Sequence, residues 1–428
     1  MLFLPVIVLI ILAILFRIQA KQWLAPGPIF AGYWTIWVVF ALLFSPEGYP
    51  VSSKAIWWIV LLVFSLGAGA ALAKPLASRK VDKQEVETMV REKFTELQRI
   101  VILFSVIGIL GAFILVVSLG KGMFFFFSLS ALKSIAASLS DSRYGSGYQP
   151  PLLYTLSTCF SYAACYLGGL LWTLQKRKVA FLPFVPIILS SAIMTTKAGL
   201  LFQVFMWIAG WLAGRIQLGN TKISMKIVVR LFITAALLTG AFILMSMLRY
   251  KIYSLKDMGI IFEKLTVYFV GFLSGFSQWL TSLNFKIYDI GLGSYTFAGL
   301  YDVLGISQRS QGIINETVIV GRFSTNIYTL FRYIIQDVGF IGAILVMLLI
   351  GVTFSLVYEW TKRGSLVAMS LLMLFYAQVL FSNTTTIFGY NTMIIAWLLV
   401  ALYCFSKSLD WKSKTKTRSP AFINFLKH

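Results

Sequence analysis

Between Glu316 and Gly342 the chain reads ETVIVGRFSTNIYTLFRYIIQDVGFIG. Arg322, Arg332, a Ser324-Thr325-Asn326 run, Tyr328, Tyr333 and Asp337 stand there just ahead of a long apolar run that begins at Phe340. An ionisable group at a membrane edge is costly unless a partner meets it, so it marks a functional site by default. Arginine suits pyrophosphate, because its planar fork donates two hydrogen bonds at once and its charge does not titrate away. Arg322 and Arg332 are ten positions apart, close to three helical turns, and share a face only if the stretch between them is helical throughout. Gly321 and the Ser-Thr-Asn run favour a break. Asp337 is either a catalytic carboxylate or the salt-bridge partner of Arg332 at a helix start.

The rest of the chain bounds what these groups can do. Of 428 residues, 59% are apolar and 12% charged, which excludes a soluble fold and defines an all-α polytopic membrane protein. The net charge of +22 would suggest nucleic acid in a soluble protein; here it reads as the excess of Lys and Arg in cytoplasmic loops, with no nucleic-acid partner. Cys159, Cys165 and Cys404 all fall in apolar runs, and the sole histidine is His428, so no disulfide framework, metal site or histidine base is expected. No phosphate loop, H-E-x-x-H or external D-x-D is present. Gly271 and Gly275 form a G-x-x-x-G pair suited to close helix packing.

Hydropathy predicts eleven spans, near 2–16, 29–45, 55–73, 100–120, 151–174, 179–194, 198–214, 227–248, 339–358, 365–380 and 391–406. With 74–99 cytoplasmic, alternation places 24 of the 37 lysines and arginines on that side, giving an external N-terminus and a cytoplasmic C-terminus. Residues 74–99 carry an amphipathic stripe of Val86, Met89, Val90, Phe94 and Leu97 with a Glu87–Arg91 pair, and read as a solvated extension lying on the bilayer surface. The segment 407–428 is a basic tail suited to anionic headgroups. Two external segments stand out: 121–150, with Arg143, and the long 249–338, whose size points to function. Its first half reads as a helix in or dipping into the outer interface, with a twelfth span as the rival.

The sixth and seventh runs are short, about 24 Å each against a hydrocarbon core of about 30 Å. The Thr195-Thr196-Lys197 turn between them therefore lies below the surface, where Lys197 either meets an anion or a water-filled cavity or snorkels to the interface. The external side carries thirteen Lys and Arg, Arg249 among them, against eight carboxylates, which suits an anionic ligand.

Phe323 to Gly342 resembles the T-N-x-Y-T…R…D-x-G-x-x-G signature of the Wzy-type polymerases of O-antigen and oligosaccharide repeat units. Tyr268-Phe269-Val270-Gly271 with Phe276, Gln278 and Trp279 resembles their Y-F-x-G segment, and Gly291-Leu292-Gly293 their glycine turn. Thr195-Thr196-Lys197-Ala198-Gly199 sits where the family often has T-x-S-R-G, with lysine in place of arginine. The resemblance implies a GT-C-like glycosyltransferase of the bacterial inner membrane with a large periplasmic segment between spans 8 and 9. It would join undecaprenyl-diphosphate-linked donor and acceptor glycans without cofactor or metal, among membrane lipids and with a chain-length regulator as an optional partner. It assigns diphosphate contacts to Arg322 and Arg332, then Arg249, Lys197 and Arg143, and substrate positioning to Asn326 and Tyr328. A base would be Glu316, Asp302 or Asp337, and the residues do not choose. Related ligases use an external histidine, which this chain lacks. The alternatives are a transporter or flippase for the same lipid-linked glycan and a non-catalytic scaffold.

Overall fold

The structure, a computed structural model, describes residues 2–73, 83–122, 149–194, 196–250, 252, 254, 258–283, 290–306 and 316–418. Arg143, most of the 121–150 segment and the end of the basic tail lie outside them. The chain opens with α1 (Phe3–Ala20), α2 (Pro26–Phe44) and α3 (Ser53–Ala73), and a short α4 (Lys83–Lys93) leads into α5 (Leu97–Ser118). Next come α6 (Leu152–Gln175), α7 (Phe184–Met194), α8 (Lys197–Gln217), α9 (Met225–Tyr250) and α10 (Met258–Ser282). A short α11 (Ala298–Val303) and a hairpin of β1 (Val318–Val320) and β2 (Phe323–Thr325) precede α12 (Leu330–Lys362), α13 (Leu366–Phe381) and α14 (Asn391–Arg418).

Nine helices among the described residues are long and apolar enough to cross a membrane, and eight of them coincide with expected runs. The ninth is α10, which the sequence reading laid in the interface. It packs along α2 through Phe272, whose ring meets Trp34 at 6.2 Å and Trp37 at 6.1 Å. Glu263 and Lys264 lower its hydropathy to 1.4, the bottom of the range among the nine. α6 has span length, yet its serines, threonines and tyrosines keep it off that set. Nearly every residue from Ser157 to Leu174 is buried, so protein rather than lipid surrounds it. α8 runs 21 residues, longer than its apolar run suggested, because Arg215 and Gln217 extend its last turn.

α4 also departs from expectation. Val90 and Phe94 are fully buried, with Phe94 against Tyr403 at 5.8 Å. Arg91 keeps its pair with Glu87 at 2.9 Å and also donates to the Leu174 carbonyl, while Gln175 Nε2 donates to the Phe94 carbonyl at 2.9 Å. The last carbonyls of α6 lack intrahelical donors, and Arg91 supplies one. The helix is thus docked on the bundle rather than spread on a surface.

α12 is the longest element and it bends at Gly339 (φ 71°, ψ 179°), a conformation a side chain would resist. Its first arm, Leu330–Val338, lies among other helices, with Phe331, Arg332 and Ile335 fully buried. The second arm lies against α3, where small residues let backbones touch: Gly351 meets the Leu66 carbonyl, Gly69 meets the Leu348 carbonyl, and Ser355 Oγ donates to the Ala70 carbonyl at 3.1 Å. A methyl at Gly351 has no space, so Gly351→Ala lowers stability by about 1–3 kcal/mol. Thermal unfolding of the purified protein measures this, and an unchanged midpoint would mean the two helices can part at no cost.

Candidate functional site

Three interruptions of helix meet at one end of the bundle. The first is the α7–α8 turn, where Lys197 opens α8. The second is the approach to α12, where Asn326 and Ile327 leave the hairpin and the Leu330 amide donates to the Ser382 carbonyl at 2.7 Å. The third is the α13–α14 connection, 382–390, whose Ser382, Asn383, Thr385, Thr386 and Ile387 are all buried. α13 has 16 residues, about 24 Å, so this connection begins below the level a full span would reach. Irregular backbone at such depth is tolerated only where protein or a water-filled cavity satisfies it. Side chains do so here: Tyr33 Oη donates to the Leu380 carbonyl and to Asn383 Oδ1, each at 2.8 Å, and Gln378 Oε1 accepts from the Ile387 amide at 2.9 Å. Thr385 Oγ1 donates to Tyr333 Oη at 3.3 Å.

Between these breaks lies a cavity of about 550 Å³. Tyr154, Thr155, Thr158 and Tyr162 line it from α6, Leu238, Phe242 and Arg249 from α9, and Tyr268 and Phe269 from α10. Asn383, Thr384, Thr385, Tyr390, Asn391 and Thr392 line it from the third break, and Asp302 from α11. Much of this wall is neutral hydroxyl, amide and aromatic ring.

The charged part of the wall is lopsided. Lys197 is 5% exposed and its Nζ has no hydrogen-bond partner among the described residues; it faces the ring of Tyr268 at 4.4 Å and that of Tyr250 at 6.0 Å. Lys264 Nζ sits 3.3 Å over the Tyr250 ring and the Arg249 guanidinium 5.4 Å from it, so three cations surround one ring. A ring quadrupole offsets only about 0.5–2 kcal/mol per cation. Like charges gathered about one ring repel one another, the more so where burial lowers the effective dielectric. The arrangement therefore attracts an anion. Asp302 is the one carboxylate among the described cavity-lining residues, and Asn391 Nδ2 donates to its Oδ2 at 2.9 Å. Gly299 makes that approach possible, since a Cβ there would stand 2.6 Å from the Asn391 amide nitrogen.

The other residues singled out by sequence fall elsewhere. Arg322 lies in the hairpin turn after Gly321 (φ 62°), and its guanidinium is held bidentately by Glu263 at 2.9 and 2.7 Å with most of its side chain exposed. The break between Arg322 and Arg332 is thus present. Arg332 is fully buried behind the cavity wall, 3.8 Å from the Tyr328 ring and 5.2 Å from that of Trp279, and it pairs with Glu316. Tyr328, also buried, donates to the Glu316 carbonyl at 3.2 Å. The Arg332–Asp337 pair considered from sequence does not form. Asp337 instead accepts from the Tyr295 and Thr296 amides at 3.0 and 2.6 Å, pinning the glycine turn that precedes α11. The cavity therefore gathers Lys197, Arg249, Asn326 and Asp302 of the expected set, and leaves Arg322, Arg332, Tyr328, Glu316 and Asp337 outside its lining.

Sequence reasoning missed the 382–392 wall. Its signal was available, because α13 is as short as the runs that flagged the Lys197 turn. No family model, curated protein or solved structure matches the chain.

Glu316 is the partner that neutralises a buried guanidinium, so Glu316→Gln should lower stability by about 2 kcal/mol, and Arg332→Met in that background should restore part of it. Chemical denaturation of the single and double variants measures both. Additive losses would show that the pair does not act as a pair.

Proposed function

We propose that the protein is a glycosyltransferase of the GT-C type that polymerises glycan repeat units carried on undecaprenyl diphosphate, working at the external face of the bacterial inner membrane. The observation that carries this reading is the unpartnered Lys197 ammonium, buried beside Arg249 and Lys264 in a cavity otherwise rich in hydroxyl, amide and aromatic groups. Such a wall suits a substrate that is anionic at one end and polyhydroxylated at the other. The resemblance of Phe323–Gly342 to the Wzy-type signature supports the same reading.

The bond broken joins the donor's anomeric carbon to a diphosphate oxygen. Diphosphate leaves with the electron pair, and Lys197 and Arg249 stabilise the charge that develops on it. The acceptor hydroxyl oxygen forms the new bond to the anomeric carbon and gives its proton to a carboxylate. Asp302 lies on the cavity wall, whereas Glu316 is committed to Arg332 and Asp337 to backbone amides, so Asp302 is assigned as base and Asn391 orients it. Asn326 and the Asn383–Thr385 wall position sugars. Arg322 is assigned to holding the hairpin on α10.

A transporter of the same lipid-linked glycan would need a polar route through both leaflets. Along α9 no ionisable residue occurs between Arg230 and Arg249, which favours the enzyme.

A strain lacking this chain and complemented with variants tests the assignment by the size ladder of its surface glycan. Wild type and Arg322→Ala should give the full ladder, and Lys197→Ala should collapse it to a single repeat unit while the protein remains in the membrane. Asp302→Asn should shorten it sharply, by about a hundredfold in polymer yield. Full-length polymer from Lys197→Ala would remove the cavity from the reaction.

A further inference from the structure

The end of α9 farthest from the cavity is peculiar. Phe242, Met245, Ser246 and Leu248 pack into the protein, but from Met225 to Leu237 no residue is buried, and only Ile227 and Thr234 are even partly covered. Phe232 and Leu237 are more than two-thirds exposed, and Arg230 and Leu231 are also exposed. Three turns of helix thus have little protein against them. On the neighbouring α8, Ile208 and Arg215 are partly exposed beyond Leu201 and Phe205, which line the cavity.

Cations collect where this uncovered stretch ends. Lys176 caps α6 in the left-handed conformation (φ 54°), its ammonium 5.5 Å from the Trp172 ring. Arg215 lies 5.3 Å from the Trp211 ring and donates to the Lys222 carbonyl at 2.6 Å. Thr173 Oγ1 donates to the Trp211 carbonyl at 3.2 Å, which sets the ends of α6 and α8 side by side; there partial burial, and then the charges of Arg215, Arg230 and Arg91, push the Lys176 ammonium below its ordinary range. Of these four only Arg91 has a carboxylate partner among the described residues, Glu87. The groups facing Lys176 from α4, α8 and α9 are therefore cationic.

We propose that a phospholipid with an anionic headgroup occupies this end of the α8–α9 surface, its phosphate among Lys176, Arg215 and Arg230 and its acyl chains along the uncovered face of α9. The two halves of the site require one molecule that is negative at one end and apolar along its length. Inorganic phosphate would satisfy the cations and leave the helix bare; a neutral lipid would cover the helix and leave the cations unmatched. Lys176, Arg215 and Arg230 lie outside the cavity lining, and the inference does not rest on the polymerase reading.

The test uses the full-length protein in detergent with added phosphatidylglycerol or phosphatidylcholine of the same acyl chains, read by thermal unfolding and by lipid retained in native mass spectrometry. Each basic residue near an anionic headgroup is worth about 1 kcal/mol, a factor of about five. Phosphatidylglycerol should raise the unfolding midpoint and be retained in preference to phosphatidylcholine. In a Lys176→Gln, Arg230→Gln variant that preference should fall about thirtyfold; both side chains are exposed and neither makes an ion pair that folding needs. Equal stabilisation of the wild type by the two lipids would overturn the proposal whatever the variant does. So would an undiminished preference in the variant, or stabilisation by inorganic phosphate equal to that by phosphatidylglycerol.

Discussion

A buried ammonium with no hydrogen-bond partner among the described residues constrains everything around it. Lys197 opens a helix whose other residues are almost all apolar, it is shielded from solvent, and the two aromatic rings it faces return only a fraction of its hydration energy. Arg249 and Lys264 add to its charge instead of offsetting it. A fold that keeps three cations round the Tyr250 ring is arranged for something negative, and the cavity beside them is the space in which that partner would lie.

The cavity exists because helices stop where a bilayer would demand that they continue. α7 and α13 are both too short for a span, and the arm of α12 before Gly339 turns among its neighbours. Each break frees backbone groups, and the protein answers with polar side chains from distant segments: Tyr33 for the chain at Leu380–Asn383, Gln378 for Ile387, Asp337 for Tyr295 and Thr296. These hydrogen bonds set the shape of the wall. Arg332 belongs to the same framework, wedged between Tyr328 and Trp279 with Glu316 as its counter-charge. The stretch richest in ionisable and polar groups thus divides: Asn326 reaches the cavity, while Arg322, Tyr328, Arg332 and Asp337 hold the elements that surround it.

Most helices were legible because apolar runs of about twenty residues have few other uses. The Lys197 turn was legible from the shortness of its flanking runs. The same reasoning applied to α13 would have pointed to Asn383–Asn391, but no charge there drew notice. α10 read either as interfacial or as a further span because Glu263 and Lys264 lower its hydropathy, and only the structure shows their contacts: Glu263 meets Arg322, and Lys264 covers Tyr250. The tasks of Arg322 and Asp337 were hidden for a plainer reason. Their partners lie 59 and about 42 positions away in the chain, beyond anything local spacing can report.

The measurement that bears most directly on the account is reconstitution of the purified protein in vesicles with a lipid-linked repeat unit isolated from the deletion strain. Chain growth and release of lipid diphosphate are followed together. Growth of the glycan with one lipid diphosphate released per unit joined is the predicted result. If the repeat unit instead crosses the bilayer unchanged, with no diphosphate released, the cavity is a passage and the enzymatic reading is contradicted.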